Sequence, residues 1–203
     1  MKTLVLVDIQ NDFLPGGALA VAHGDDVVPI ANRVQPAFEL VVATQDWHPP
    51  RHGSFASSRP GRKAGEVAEL AGLSQVLWPD HCVQGTDGAA LHKDLSVPHA
   101  QLVLRKGHHR DVDSYSAFLE ADRKTRTGLE GYLEERRIKR VFVCGLATDF
   151  CVAWTALDAR KLGFAALIVE DACRAIDMQG SLAAAWEKMK KAGVKSIQSG
   201  GIA

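Results

Sequence analysis

The chain has 203 residues, of which 46% are hydrophobic and 24% charged, and Lys+Arg balance Asp+Glu at 24 each, so the formal net charge is zero. This is ordinary globular usage and argues against a disordered, collagenous or coiled-coil chain. A chain of this length hides roughly 70% of its unfolded surface without disulfides or structural metal. A balanced surface has no basic stripe to neutralise phosphates, which argues against nucleic acid and brings small neutral ligands forward.

At the N-terminus the apolar run 4–7 ends at Asp8 after four residues. A secretory signal needs roughly 7–15 apolar residues, and no window approaches the roughly 18 of a membrane span. Cys82, Cys144, Cys151 and Cys173 have no CxxC spacing. The expectation is a cytoplasmic protein with free thiols and no membrane partner.

Continuously apolar or β-branched runs at 3–9, 40–44, 101–104, 140–144, 165–169 and 194–197 read as buried parallel strands. Helix-patterned stretches at 25–39, 127–137, 149–162 and 181–192 lie among them. This alternation predicts a single domain over 1–203 with an α/β fold: a three-layer α/β/α, Rossmann-like arrangement around an open, mostly parallel six-stranded sheet. From Asp46 to Leu95 the pattern dissolves into Pro, Gly, His and Ser, and a connection that long is usually functional; 49–77 is the candidate lid.

Ligands of open α/β sheets bind at the carboxyl ends of the strands. Asp8 closes the first strand, Asp46 and His48 follow the second, Arg105 and Lys106 the third, and 145–151 the fourth. Cys151 follows Thr148, an N-cap type, so the thiol falls in the first helical turn, where backbone donors and the helix dipole lower a thiol pKa. The alternative is a small core hydrophobe. Asp8 either pins the turn at Gln10 to Asp12 or serves as a general base raised by burial. Lys106 supplies its counter-charge or is a solvated strand end, the role assigned to Arg105.

Asp46, His48 and His81 offer a carboxylate and two imidazoles, the donor set of an open Zn²⁺, Fe²⁺ or Mn²⁺ site; solvated loop histidines are the competing reading. His52 stands four after His48, a helical ligand spacing that Pro49 and Pro50 oppose. His108 and His109 read as surface, and Cys82 as facing away from His81. Phe13, Trp78 and Tyr115 either wall a flat ring or pack a core. Trp47 and Trp154 read as packing.

Seven blocks in the same order then resemble bacterial nicotinamidases, cysteine amidohydrolases of the isochorismatase-like superfamily. They are Val7 to Phe13 with its DxQNDF core, Gln45 to Pro49 with DWHP, His52 to Ala56, Trp78 to Gln84 with WPDHC, Lys106-Gly107, Asp113 to Phe118 and Gly145 to Val152 with GLATDFC. The resemblance implies hydrolysis of nicotinamide to nicotinate and ammonia in NAD salvage, with pyrazinamide as an analogue. It implies Asp8, Lys106 and Cys151 as catalytic triad, and Asp46, His48 and His81 as ligands of one divalent metal ion that holds the pyridine nitrogen. It further implies Phe13, Trp78 and Tyr115 as ring-binding aromatics, and a cis peptide between Leu146 and Ala147 that aims the amides of Ala147 and Cys151 at an oxyanion. Some members carry a fourth ligand, His or Glu, where this chain has Ser54, which leaves metal identity open. A homo-oligomer is compatible with the sequence. Two other readings stay beside this one: a sister amidohydrolase acting on ureido or carbamoyl compounds, which would not need the metal triad, and a non-catalytic metabolite- or metal-binding domain.

Overall fold

Residues 1–202 are described by a computed structural model of the chain. In chain order the strands are β1 (Lys2–Val7), β2 (Leu40–Asp46), β3 (Val67–Leu70), β4 (Leu73–Val76), β5 (Leu102–Lys106), β6 (Arg140–Leu146), β7 (Ala165–Arg174) and β8 (Lys195–Ile197). The α-helices are α1 (Val27–Val34), α2 (Leu129–Glu135), α3 (Ala153–Lys161) and α4 (Ser181–Lys191). Six strands form one parallel sheet in the order β5-β2-β1-β6-β7-β8. Because that order reverses beside β1, right-handed crossovers send α1 and α3 to opposite faces, and the crevice for a ligand opens at the carboxyl ends.

The apolar runs explain the centre of the sheet. Every residue of β2 is buried, as are all but the first of β1 and of β6, which is what strands covered on both faces require. Leu4, Leu6 and Ile168 are wholly enclosed, and truncating such a side chain to alanine typically costs about 2–5 kcal/mol. Edge strand β5 instead alternates partly buried with exposed residues until Lys106, its last residue, which is buried. One glycine governs how closely the two central strands approach. Gly145 has φ +118°, and a Cβ there would stand 2.1 Å from the Val7 carbonyl oxygen, so only glycine lets β6 pass the end of β1 beside Asp8.

Several expected elements change. Asp46, Arg105 and Lys106 lie inside their strands rather than after them, because the paired register extends to Asp46 opposite Lys106. The 25–39 helix reduces to α1 flanked by 3₁₀ turns at Gly24–Asp26 and Gln35–Ala37, Pro36 removing an N–H donor. Strand β7 runs past 169 to Arg174, where Glu170 and Asp171 hide it from an apolar-run criterion. The segment 49–77 is not wholly irregular: β3 and β4 pair as an antiparallel hairpin. Its turn takes Ala71 and Gly72 through φ +52° and +76°, the primed-turn geometry, with an alanine where asparagine or aspartate usually signals it. Thr148 makes no capping bond: Thr148–Val152 is a π-helical turn entered from extended Ala147, and α3 begins only at Ala153. Among the described residues no helix is long and apolar enough to cross a membrane.

Candidate active site

Four strand ends converge on one ammonium. Lys106 is fully buried, and its Nζ lies 2.8 Å from Asp8 Oδ2, 2.6 Å from Asp46 Oδ1, 2.8 Å from the Ser114 carbonyl and 3.4 Å from Cys151 Sγ. Burial alone would push this ammonium down, yet Asp46 and Asp8 hold it well above the ordinary lysine range. For Asp46, burial is likewise outweighed, by Lys106 and then His48, and the carboxyl is held well below the usual carboxylate range. A charge this deep persists only when paired on all sides.

Asp8 sits one residue beyond β1 at φ +49°. Its Oδ1 accepts a 2.6 Å hydrogen bond from Thr44 Oγ1, which itself accepts from the Asp8 amide at 3.2 Å. Burial raises this carboxyl, Lys106 opposing and Asp46 reinforcing the rise. Gln10 fixes the neighbouring strand end: its amide donates to the Asp46 and Ala89 carbonyls at 2.8 Å each, and its oxygen accepts from the Asp46 N–H at 2.8 Å. Thr44 carried no distinguishing signal, reading as a strand residue, and Gln10, though inside the DxQNDF block, read as part of a turn.

Cys151 lies in the π-helical turn, and its Sγ and the Asp8 and Asp46 carboxylates stand within 4.8 Å of one another. The expected fall in its pKa does not occur. Burial pushes the thiol well above the ordinary value, Lys106 opposing and the two carboxylates adding to the rise. The resting proton therefore belongs to sulfur, with a carboxylate of raised basicity beside it, an arrangement suited to proton transfer during attack. The Leu146–Ala147 peptide is cis.

Asp46, His48 and His81 meet on the other side of Asp46, their ligand atoms within 4.8 Å of one another. His48 Nδ1 contacts the Gly107 carbonyl at 2.9 Å and His81 Nδ1 the Pro79 carbonyl at 2.8 Å. A carbonyl can only accept, so both rings carry the proton on Nδ1 and turn Nε2 to Asp46 Oδ2, at 3.6 and 4.0 Å. Two imidazoles with fixed tautomers and one carboxylate fit a divalent metal. Burial lowers His81 to about 4; for His48 burial also lowers, but Asp46 outweighs it and the net shift is upward. Gly107, at φ +65°, makes room for this ring, since a Cβ there would stand 2.5 Å from His48 Cε1.

Ser54 is buried, but its hydroxyl faces His52 Nδ1 at 2.7 Å. The His52 Nε2 faces the carbonyls of His109 and Val112 at 3.0 and 3.2 Å, so Nε2 carries the proton and Ser54 donates to Nδ1. His52 is not a helical ligand partner of His48; it stacks against it, ring centroids 4.4 Å apart. His108 is exposed, and His109 pairs at 2.8 Å with the buried carboxylate of Glu120. Exposed Arg105 covers Trp47, its guanidinium 3.7 Å from the ring centroid.

A pocket opens above Cys151. Phe13, Trp78 and Tyr115 line it together with Asp46, His81 and Ala147. Trp78 Nε1 donates to the Tyr115 hydroxyl at 3.0 Å, fixing two of its walls. Sequence reasoning missed Leu19, Asp113, Phe150 and Ile176, which complete the lining. Phe150 packs edge-on against Trp78 at 4.9 Å; its position next to Cys151 was the available signal.

The profile of the isochorismatase domain matches residues 2–199. The chain is 55% identical over 199 residues to a nicotinamidase of Acinetobacter baylyi, covering 98% of this chain and 93% of that protein. Among solved structures it is similar to an Acinetobacter baumanii nicotinamidase and pyrazinamidase, with 57% identity, 100% and 98% of the two chains covered and a TM-score of 0.98. It is also similar to PnC1 of L. infantum in complex with nicotinate, with 41% identity, 100% and 95% coverage and a TM-score of 0.88. A pyrazinamidase of Pyrococcus horikoshii in complex with zinc matches with 38% identity, 97% and 98% coverage and a TM-score of 0.79.

Proposed function

Since the chain belongs to the isochorismatase family, we propose that it acts as a nicotinamidase, hydrolysing the carboxamide of nicotinamide to nicotinate and ammonia, with pyrazinamide as an analogue. The observation that carries the reading is the single ammonium of Lys106, which joins the acid beside the thiol to the acid of the metal triad. Nucleophile and ring anchor are thereby held at a fixed separation, as a rigid heteroaromatic amide requires.

In the first half-reaction Asp8 takes the thiol proton of Cys151 as sulfur bonds to the carboxamide carbon. The carbonyl oxygen becomes an oxyanion, received by the amides of Ala147 and Cys151, each such donor being worth roughly 3 kcal/mol. As the carbon–nitrogen bond breaks, Asp8 returns the proton and ammonia departs, leaving a thioester. Asp8 then deprotonates a water that adds to the thioester; sulfur leaves, recovers the proton, and nicotinate is released. Lys106 keeps Asp8 aimed throughout. Phe13, Trp78 and Tyr115 sandwich the ring.

Asp46, His48 and His81 would hold one divalent ion, Zn²⁺ or Fe²⁺, with Mn²⁺ also compatible with this donor set; the zinc-bound Pyrococcus neighbour favours zinc. When bound, it supplies a Lewis-acid anchor for the pyridine nitrogen. An uncharged substrate needs no electrostatic steering, consistent with the net charge of zero. The product suits NAD salvage in the cytoplasm. Ammonia release from nicotinamide, measured beside ureidoacrylate and a carbamoyl amine, tests the assignment: nicotinamide should be turned over fastest, and preference for a ureido or carbamoyl compound would overturn it.

A further inference from the structure

One carboxylate in the pocket has no role in that scheme. Asp113 is 3% exposed and lines the pocket with Asp46, His81, Tyr115 and Cys151. Its Oδ1 accepts the Ser114 amide at 2.8 Å, the Tyr115 hydroxyl that accepts from Trp78 Nε1 interacts with the same carboxylate, and its buried Oδ2 stands at hydrogen-bond distance from no described residue. Elsewhere in the site two carboxylates, Asp8 and Asp46, share the single cation Lys106. Adding Asp113 leaves two formal negative charges in the buried cluster, and a buried polar atom without a partner costs about 1–3 kcal/mol, more when charged. A divalent cation at Asp46, His48 and His81 brings the formal sum to zero.

Asp113 also stands where it can act on that cation. A carboxylate oxygen lies within 4.8 Å of ligand atoms of both His48 and His52, yet Asp113 does not group with Asp46 and His81. The backbone holding it is anchored from the metal side, because His52 Nε2 donates to the carbonyls of His109 and Val112 and the Gly53 amide to that of Arg110 at 2.8 Å. We propose that Asp113 is a positioning residue for the metal: its free Oδ2 accepts a hydrogen bond from a water on the ion and contributes the balancing negative charge, without itself being a ligand. The proposal rests on the nicotinamidase reading only for the metal triad; the role of Asp113 needs no substrate.

The test compares wild type with Asp113→Asn, which keeps the side-chain shape and the acceptor for the Ser114 amide. Zinc retention is read by competition with a chromophoric chelator, and melting temperature is taken with and without zinc. The variant should bind zinc about 10–100-fold more weakly, the usual effect of losing such an outer partner. Without zinc it should melt at or above the wild-type temperature, because a buried carboxylate with no counter-cation of its own has been replaced by a neutral amide, and zinc should then raise its melting temperature less than it raises that of wild type. Zinc retention within twofold of wild type overturns the proposal. So does a variant that fails to fold or melts lower without metal, since that marks a merely structural carboxylate. A wild type that retains zinc but releases no ammonia from nicotinamide would overturn the proposed function and leave this inference standing.

Discussion

The two ends of the pocket are built by different means. At the thiol end, Asp8, Lys106 and Cys151 hang on the ends of β1, β5 and β6, central or paired strands whose register fixes them to each other. At the metal end, only Asp46 belongs to a strand. His48 and His81 come from loops joined by single bridges, His48 to Val83 and Phe55 to Trp78. Stability is unevenly spread in such structures, loops opening more readily than core strands. On the proposed function the chemistry would rest on the strand-held end and the recognition of the ring on the loop-held one, so damage at each end should have a different signature.

The largest effect should come from the thiol end. Cys151→Ser should lower kcat more than about 1,000-fold with the melting temperature nearly unchanged; ammonia-release kinetics and calorimetry check both halves. Lys106→Ala strikes the same end through folding, because it strands two buried carboxylates and should cost about 3–5 kcal/mol in urea unfolding. Next, at the metal end, exhaustive chelation or the His48→Ala, His81→Ala double variant should raise KM for nicotinamide by about 100-fold, while urea unfolding shifts far less than for Lys106→Ala; an unchanged KM would remove the contrast between the ends. Thr44→Val removes the hydrogen bond to the Asp8 carboxylate, worth about 1.5 kcal/mol for a charged acceptor, together with the acceptor for the Asp8 amide, and should slow kcat roughly tenfold with KM nearly constant.

The smallest effect is a pH profile. The Cys151 thiol is raised above its ordinary 9.0 by burial, and only thiolate reacts with iodoacetamide. In metal-free protein its alkylation, read by peptide mass spectrometry, should be slow at pH 7 and still rising beyond pH 9. A plateau below pH 8 would mean that thiolate is already formed at rest, and Asp8 would then have no proton to remove.

The same contrast decides what could be read from residues alone. Asp8, Lys106 and Cys151 stood out because polar groups at the end of a continuous apolar strand need a reason to be there, and the sheet topology brings strand ends together whatever the loops do. The metal candidates were legible as types and spacing, yet their convergence depends on chain between 49 and 77 whose hairpin is signalled only by Ala71-Gly72. Asp113 opens one of the blocks that carry the family resemblance, but nothing in its own chemistry set it apart from exposed Asp111 two residues before it; only burial tells the two apart. The thiol pKa departs from expectation for a related reason. A helix terminus is visible in a sequence, whereas desolvation by four surrounding elements is not, and here desolvation is the larger influence.

Gly107 gives the two ends a common weak point. It follows Lys106 directly, its carbonyl accepts from His48, and its missing side chain is what admits the His48 ring. A single added methyl group would meet a ring it cannot pass, and relief would have to come from turning the imidazole or from sliding the strand end that carries the ammonium. Adjacent positions in the chain thus serve as a shared origin from which both distances, to sulfur and to the ring anchor, are measured. Position 107 is accordingly the place where one substitution would miscalibrate catalysis and recognition together without touching a reacting atom.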